Sequence, residues 1–359
     1  MCKWQGLEGD YCVEGLPHST KEVRKPEPVG LEFKSVADGQ SKVLMHIEPL
    51  EGAERQGLKK YTLRPAAVIA ANPDPAYDAL AANGQVYAPH TAITMRMTDA
   101  WSGQGKKITA DSAFMSVNTL LAMASKGFYC QGPVKTAKTQ FPSAHLSNWA
   151  RTGGPGGGKV ARGAHLVLTS KYTVAGVEKT MIAVGWMDKK LKMMLSSVGH
   201  TLAGHESVRK RNYLISNEEG EFITTTATEV VPRPYVVEQI FAYFAAVDIH
   251  DHLRQGSLQI ERMWSTRTWW HRVWGTILGF NVTNMFLAYV HEYKMDATKL
   301  PKNMMNFDSF LDKLIHSMIF NELSGPRYVP NAVPGVQPPQ VCIYAHISCN
   351  YVFPYFLTL

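Results

Sequence analysis

Cysteine is scarce in this chain, and nothing in its spacing reads as a staple. Five cysteines, Cys2, Cys12, Cys130, Cys342 and Cys349, are scattered through 359 residues. A set so sparse and odd in number argues against a disulfide framework and predicts reduced thiols inside a cell. Long apolar runs are missing as well. The best candidate, Thr276 to Val290, is too short to cross a bilayer and carries Asn281, Thr283 and Asn284, so a buried helix is expected there. The opening stretch Met1 to Tyr11 is polar and acidic, unlike a secretory leader. Acidic residues fall short of basic ones, 30 against 37, which leaves a net charge of +7. That balance permits a polyanionic partner without requiring one. The remaining composition is that of a globular protein long enough to bury a real core.

Complete nucleotide and metal motifs are also lacking. Gly153, Gly158 and Lys159 fit the skeleton of a phosphate-binding loop. Val160, however, stands where Ser or Thr must hold magnesium, and no apolar strand leads in. Cys342, His346 and Cys349 have no fourth zinc ligand nearby. Lys189-Lys190 and Arg209-Lys210-Arg211 are too short for targeting signals and read as solvated faces. The sequon Asn281-Val282-Thr283 lies inside the apolar helix.

What is present is an alternation of strand and helix signals. Leu31 to Ala37 and Lys42 to Leu50 are extended runs joined by Asp38-Gly39, a hairpin signal. Helices are expected over Pro75 to Ala82 and His90 to Trp101, the second with Ala92, Met95 and Ala100 inward. A short strand, Lys106 to Ala110, ends at Asp111. A helix then runs from about Ser112 to Ser125, stopped by Gly127, and a strand follows from Phe128 to Val134. This order suits a mixed α/β sheet with flanking helices. After a Gly-rich loop, Arg151 to Lys159, the alternating runs Ala164 to Ser170, Thr180 to Trp186 and Lys192 to Val198 predict a small β-rich insertion. From Pro234 the pattern is helical, and past Pro326 periodicity is lost. The expected units are 1–145, a β-rich insertion at 146–232, a helical part at 233–325 and an irregular tail at 326–359.

Three acids stand out. Asp111 lies where a strand meets a helix, the edge at which open α/β sheets build sites. It could equally cap the helix that follows. Val237, Phe241, Phe244, Asp248 and Asp251 step by four, three, four and three, so two carboxylates continue an apolar helical stripe. Inward acids need a metal, an arginine or a proton, unless the helix end turns out into water. Beyond them, Trp264, Trp269, Trp270 and Trp274 alternate with Arg262, Arg267, His271 and Arg272. The expectation is tryptophan as core, with Arg254, Arg262, Arg267 and Arg272 available to phosphates.

Four blocks together resemble the transposase domain of piggyBac-type transposable elements. KPEPVGLEFKSVADG (Lys25 to Gly39) is similar to the family's Lys-Pro block. ITADSAFMSVNTLL with GFYCQGPVKTAKTQFP resembles the surroundings of its second catalytic Asp, which falls on Asp111. MIAVGWMDKKLKMMLSS resembles the paired strands before the third. AAVDIHDHLRQG takes the place of the Gly-Gly-Val-Asp block, so Asp248 inherits the third position and Asp251 matches a further acid. The resemblance runs from Met1 to about Tyr293.

It implies a ribonuclease-H-like fold in which three carboxylates hold two Mg2+ ions for in-line displacement on DNA. Asp111 and Asp248 would be catalytic, and Asp111, Asp248 and Asp251 metal ligands. Double-stranded DNA, with transposon ends and TTAA-type targets, would be the partner, along with a second copy of the chain. The expected location is the nucleus. The chain departs from the family at the first Asp, whose strand would precede Met1. Asp10 and Asp38 lie in turns, and Ala245 and Ala246 replace the two glycines. The expectation is a truncated, inactive transposase; the alternative is a catalytically dead module that binds DNA or protein.

Overall fold

The computed structural model describes residues 2–4, 6–23, 28–153, 157–158, 160–216, 221–264 and 266–320. The tail beyond 320, with Cys342, His346 and Cys349, lies outside them, as does Lys159. In chain order the first elements are strands β1 (Cys2–Lys3), β2 (Thr20–Lys21), β3 (Val29–Leu31), β4 (Phe33–Ala37) and β5 (Leu44–Pro49). Helices α1 (Ala53–Leu58), α2 (Ala66–Ala71), α3 (Pro75–Ala82) and α4 (Pro89–Thr98) follow. Next come β6 (Lys107–Thr109), α5 (Val117–Ser125), β7 (Tyr129–Pro133) and α6 (Ser143–Thr152). Five strands succeed them: β8 (His165–Val174), β9 (Val177–Met187), β10 (Leu191–Ser196), β11 (Ser207–Ser216) and β12 (Phe222–Val231). The chain then turns helical, through α7 (Tyr235–Phe244), α8 (Ala246–Leu253), α9 (Ile260–Met263), α10 (Trp269–Met295) and α11 (Phe307–Phe320).

The main sheet has the order β6-β7-β10-β9-β8, with β6 and β7 parallel and the other neighbours antiparallel. It is the mixed sheet the sequence predicts, with one correction. The runs expected to form a separate insertion do not stand apart: β10 pairs with β7, so β8, β9 and β10 extend the same sheet. Only β11 and β12 leave it, as a two-stranded ribbon.

Strand alternation loads both faces of this sheet. Met193, Leu195 and Ala183 point into one core with Leu120, Met123 and Leu146 of the helices. Ile182, Val184, Trp186 and Met194 point the other way, onto Val236, Val237 and Ile240 of α7. Sheets covered on both faces read as continuous apolar runs. A third cluster joins Val43 to Phe286, Leu287, Phe307 and Phe310. Here α10 is packed as expected, with Gly275, Thr276, Gly279, Phe280, Thr283, Phe286 and Leu287 buried at helical spacing. It is long and apolar enough to span a membrane by length and composition, yet it lies against β1, α8 and α9.

The Asp38-Gly39 hairpin is present as β4–β5. The Asp38 carboxylate accepts from the Gln40 and Ser41 backbone N–H groups, at 3.0 and 2.6 Å, and folds the turn. Helix α3 matches its predicted span, with Asp74 as its N-cap. In α4, Ala92 and Met95 are buried as expected, whereas Ala100 falls in a following 3-10 turn and is exposed.

Candidate functional site

Asp111 stands two residues past the end of β6, after Ala110. The expected helix does not start at Ser112. A turn intervenes, in which the Asp111 carbonyl accepts from the N–H groups of Phe114 and Met115, both at 2.9 Å. Helix α5 begins only at Val117, and its cap is Ser116, whose Oγ accepts from Thr119 N at 3.0 Å. Asp111 is therefore no cap for α5. Its carboxylate is exposed and accepts from Ser112 N at 2.6 Å.

The strand end that carries Asp111 is held closely. Ala110 N donates to Gln131 O at 2.9 Å. A Cβ on Gly132 would stand 2.1 Å from the Ala110 carbonyl oxygen, so only glycine fits beside that strand end. Gln131 is fully buried; its Nε2 donates to Thr109 Oγ1 at 2.9 Å and to the Gln239 carbonyl at 3.3 Å. Lys107 Nζ also donates to Gln239 Oε1 at 3.1 Å and lies 4.5 Å from the centre of the Tyr243 ring. Strand β6 is thus joined to α7, the helix that leads to Asp248.

Basic side chains meet around Phe114 of the turn after Asp111, where Lys34 is also paired with Glu32. Lys34 of β4 sits 5.5 Å from the centre of the Phe114 ring, and His90 meets that ring edge-on at 5.8 Å. Burial, followed by the charges of Lys34, Lys138 and Lys135, holds His90 below its usual titration range. Lys135 and Lys138 follow β7 just as Asp111 follows β6. The sequence reading missed this rim. Its only available signal was the pair of lysines immediately after a strand, Lys135 and Lys138.

Asp248 is placed differently. Helix α7 ends at Phe244, and Ala245 serves both as its C-cap and as the cap of α8. That break resets the helical phase. Val237 is buried as the stripe predicts; Phe241, still ahead of the break, meets Trp186 edge-on at the sheet margin and is 36% exposed, while Asp248, past the break, is exposed. For Asp248 the outward-turned alternative holds. Asp251, at the next step, is already engaged, its Oδ1 lying 3.0 Å from Arg254 Nη2.

The arginines and tryptophans reverse the expected arrangement. Arg254 is only 3% exposed and forks between Asp251 and Glu261, with its guanidinium 4.8 Å from the centre of the Phe280 ring. Arg272 spans the backbone carbonyls of Glu261 and Thr266. Both guanidiniums therefore serve the interior of this segment, not a phosphate-facing surface. Arg262 and Arg267 are exposed as predicted. Trp264, Trp270 and Trp274, expected as core, are 41%, 51% and 57% exposed, and Trp264 stacks on His271 at 5.7 Å. The segment is not one helix: a π-helical turn at Arg254–Leu258 and a left-handed Gln259 precede α9, and the helix is interrupted again between Met263 and Trp269, so no single stripe runs through it.

The turn after Asp111 and the helix that carries Asp248 both reach β4: Phe114 meets its Lys34, and α8 packs on the same strand. Carboxylates are the ligand type Mg2+ takes. Yet among the described residues no three His, Cys, Asp or Glu side chains converge to hold an ion, and Asp251 is bound to Arg254. The residues present do not make up a metal site.

The chain belongs to the transposase family described as Transposase IS4, whose model matches residues 18–286. Among solved structures it is similar to a piggyBac transposase in a synaptic complex with hairpin DNA, at 16% identity and a TM-score of 0.54. That match covers 94% of this chain and 57% of the other. The piggyBac-type resemblance of the sequence therefore holds at the level of fold. No curated protein matches.

Proposed function

We propose that this is a transposase-derived protein that engages duplex DNA but does not cut it as it stands. The observation that carries the reading is the end of β6. Asp111 is exposed there, just past a strand that Gln131 ties to the helix leading to Asp248, and the turn that follows it sets Phe114 against Lys34 and His90. Cations at such an edge can meet phosphates, and the two aspartates would be the carboxylates of the reacting site. TTAA-type targets, a nuclear place of action, Mg2+ in a complete site and two copies working together belong to the same reading.

In a ribonuclease-H-like sheet a further carboxylate would lie on a strand between β4 and β6. Strand β6 is an edge of its sheet and β4 an edge of its hairpin. Tyr243 touches both sides of the intervening space. Its ring centre lies 6.0 Å from Lys42, in the hairpin turn, and 4.5 Å from Lys107 of β6. The register of β1 points to the same place. Cys2 stands opposite Leu31 and Lys3 opposite Gly30, antiparallel to a strand that continues as β4. Residues entering Cys2 from upstream would run along β4. Leu50 N already donates to Glu32 O at 2.8 Å, so they would take the edge away from β5.

The test is a cleavage assay on transposon-end DNA with Mg2+ or Mn2+. It compares this chain, a version extended upstream through an Asp-bearing strand, and each with Asp111→Asn. No cutting by the chain and metal-dependent cutting by the extended version, lost with Asp111→Asn, is the expected result. Metal-dependent cutting by the unextended chain that Asp111→Asn abolishes would show that no further carboxylate is needed.

A further inference from the structure

The ribbon β11–β12 has two unlike edges. Ten residue pairs match without interruption from Ser207↔Val231 to Ser216↔Phe222, a length of roughly 34 Å at about 3.4 Å per residue. The ribbon is anchored at its base. Val231 enters the core, Arg209 Nη1 reaches Asp188 at 3.0 Å, and Glu229 is held by Arg162. Outward from there, every residue of β12 from Phe222 to Thr228 is exposed. Beyond Arg209, strand β11 carries two further cations, Lys210 and Arg211. Charges on an edge repel a second strand. Strand β12, FITTTATEVV, has no lysine, arginine, proline or glycine, and no bulge breaks its register. Among the described residues its outer edge pairs with no strand. A long, regular edge without these devices is a template for strand addition.

We propose that this edge pairs with the same edge of a second copy, antiparallel, about a two-fold axis at Thr226. The side-chain pattern selects the occupant and the register. An axis perpendicular to the sheet keeps each residue on its own face, so only residues of equal parity can stand opposite. Centring on Thr226 sets Phe222 against the partner's Val230, Thr224 against the partner's Thr228, and Thr226 against itself. Phe222 and Val230 are 76% and 49% exposed in the single chain, and each would be covered twice by symmetry. Thr–Thr and aromatic–β-branched pairs are favourable cross-strand neighbours. No like charges meet along β12. The new outer edges are the two β11 strands with their cations, so growth stops at two copies. The proposal gives the two-copy part of the functional reading a location and does not depend on its chemistry.

The test is the mass of the full chain in solution at micromolar concentration, together with cysteine cross-linking. Cys12, Cys342 and Cys349 are first replaced by Ser. A dimer is expected, and Thr226→Lys, which sets two ammonium groups face to face, should give monomer with unchanged circular dichroism. Thr226→Cys should cross-link between copies under mild oxidation, because that residue meets itself. Thr225→Cys, which faces the partner's Ala227, should not. A monomeric parent chain, a dimer that survives Thr226→Lys, or equal cross-linking at 225 and 226 would each overturn the proposal. The cross-linking comparison decides even if Thr226→Lys fails to fold. Cleavage activity, present or absent, has no bearing on it.

Discussion

Asp111 stands on a frame of apolar strands, while Asp248 stands on a helical segment whose interior is charged. Around Asp111 the inside is Met115, Leu120 and Cys130, and the fully buried Cys130 thiol is pushed up to about 12 by its surroundings. Around Asp248 the inside is Arg254, Asp251, Glu261 and His250, and three tryptophans face out. The first region follows the alternation of its strands, so its sequence predicts it. The second depends on a helix break at Ala245 and a π-helical turn that begins at Arg254. Each event rotates the chain relative to the stripe drawn through the sequence. Apolar periodicity tells inside from outside only while one helix continues.

The contrast breaks most sharply at Arg254. Arg254→Met should cost about 3 to 5 kcal/mol, because it leaves Glu261, 14% exposed, and Asp251 without their shared cation. Urea denaturation measures this. A loss below about 1 kcal/mol, the range of surface pairs, would return Arg254 to the phosphate-facing surface.

His250 is next. It is fully buried, and burial above all lowers it from 6.5 to about 4. Between those values the unfolded chain takes up a proton that the folded chain refuses. Stability is therefore intact above pH 6.5 and falls as the pH drops toward 4. The loss should be on the order of 3 kcal/mol. A conservative apolar replacement, His250→Leu, should flatten stability against pH across that window. An unchanged slope would place the proton elsewhere.

The smallest effects on stability belong to the exposed groups. Asp111→Asn, Arg262→Ala and Arg267→Ala should each leave stability within about 0.5 kcal/mol. The two arginine changes should instead lower the salt dependence of duplex DNA binding, by about 0.9 in log–log slope for each phosphate no longer neutralised. Binding indifferent to salt would favour a protein partner over DNA.

Much of the sheet was legible because its signals are local. The Asp38 turn, the full span of α3, the strand leading to Asp111 and the pair β9–β10 all lie in short runs whose period or turn residues speak for themselves. Asp111 could be singled out for the same reason, standing just past a strand. The ribbon was not seen, since TTTATE carries no inside-outside alternation for a strand whose two faces are both wet.

The sequence by itself determined which acids are available, the strands of the main sheet and the β4–β5 hairpin, and the family, since all of these rest on residues close together along the chain. Tertiary structure alone decided that β8 to β10 join the main sheet and that Lys34 and His90 meet at Phe114, with the charges of Lys135 and Lys138 acting on His90. It also decided that Arg254 lies inside while Trp270 and Trp274 lie outside. These are matters of non-local pairing and helix phase. A buried guanidinium is tolerable only where carboxylates from other turns reach it, and no window of sequence reports that meeting.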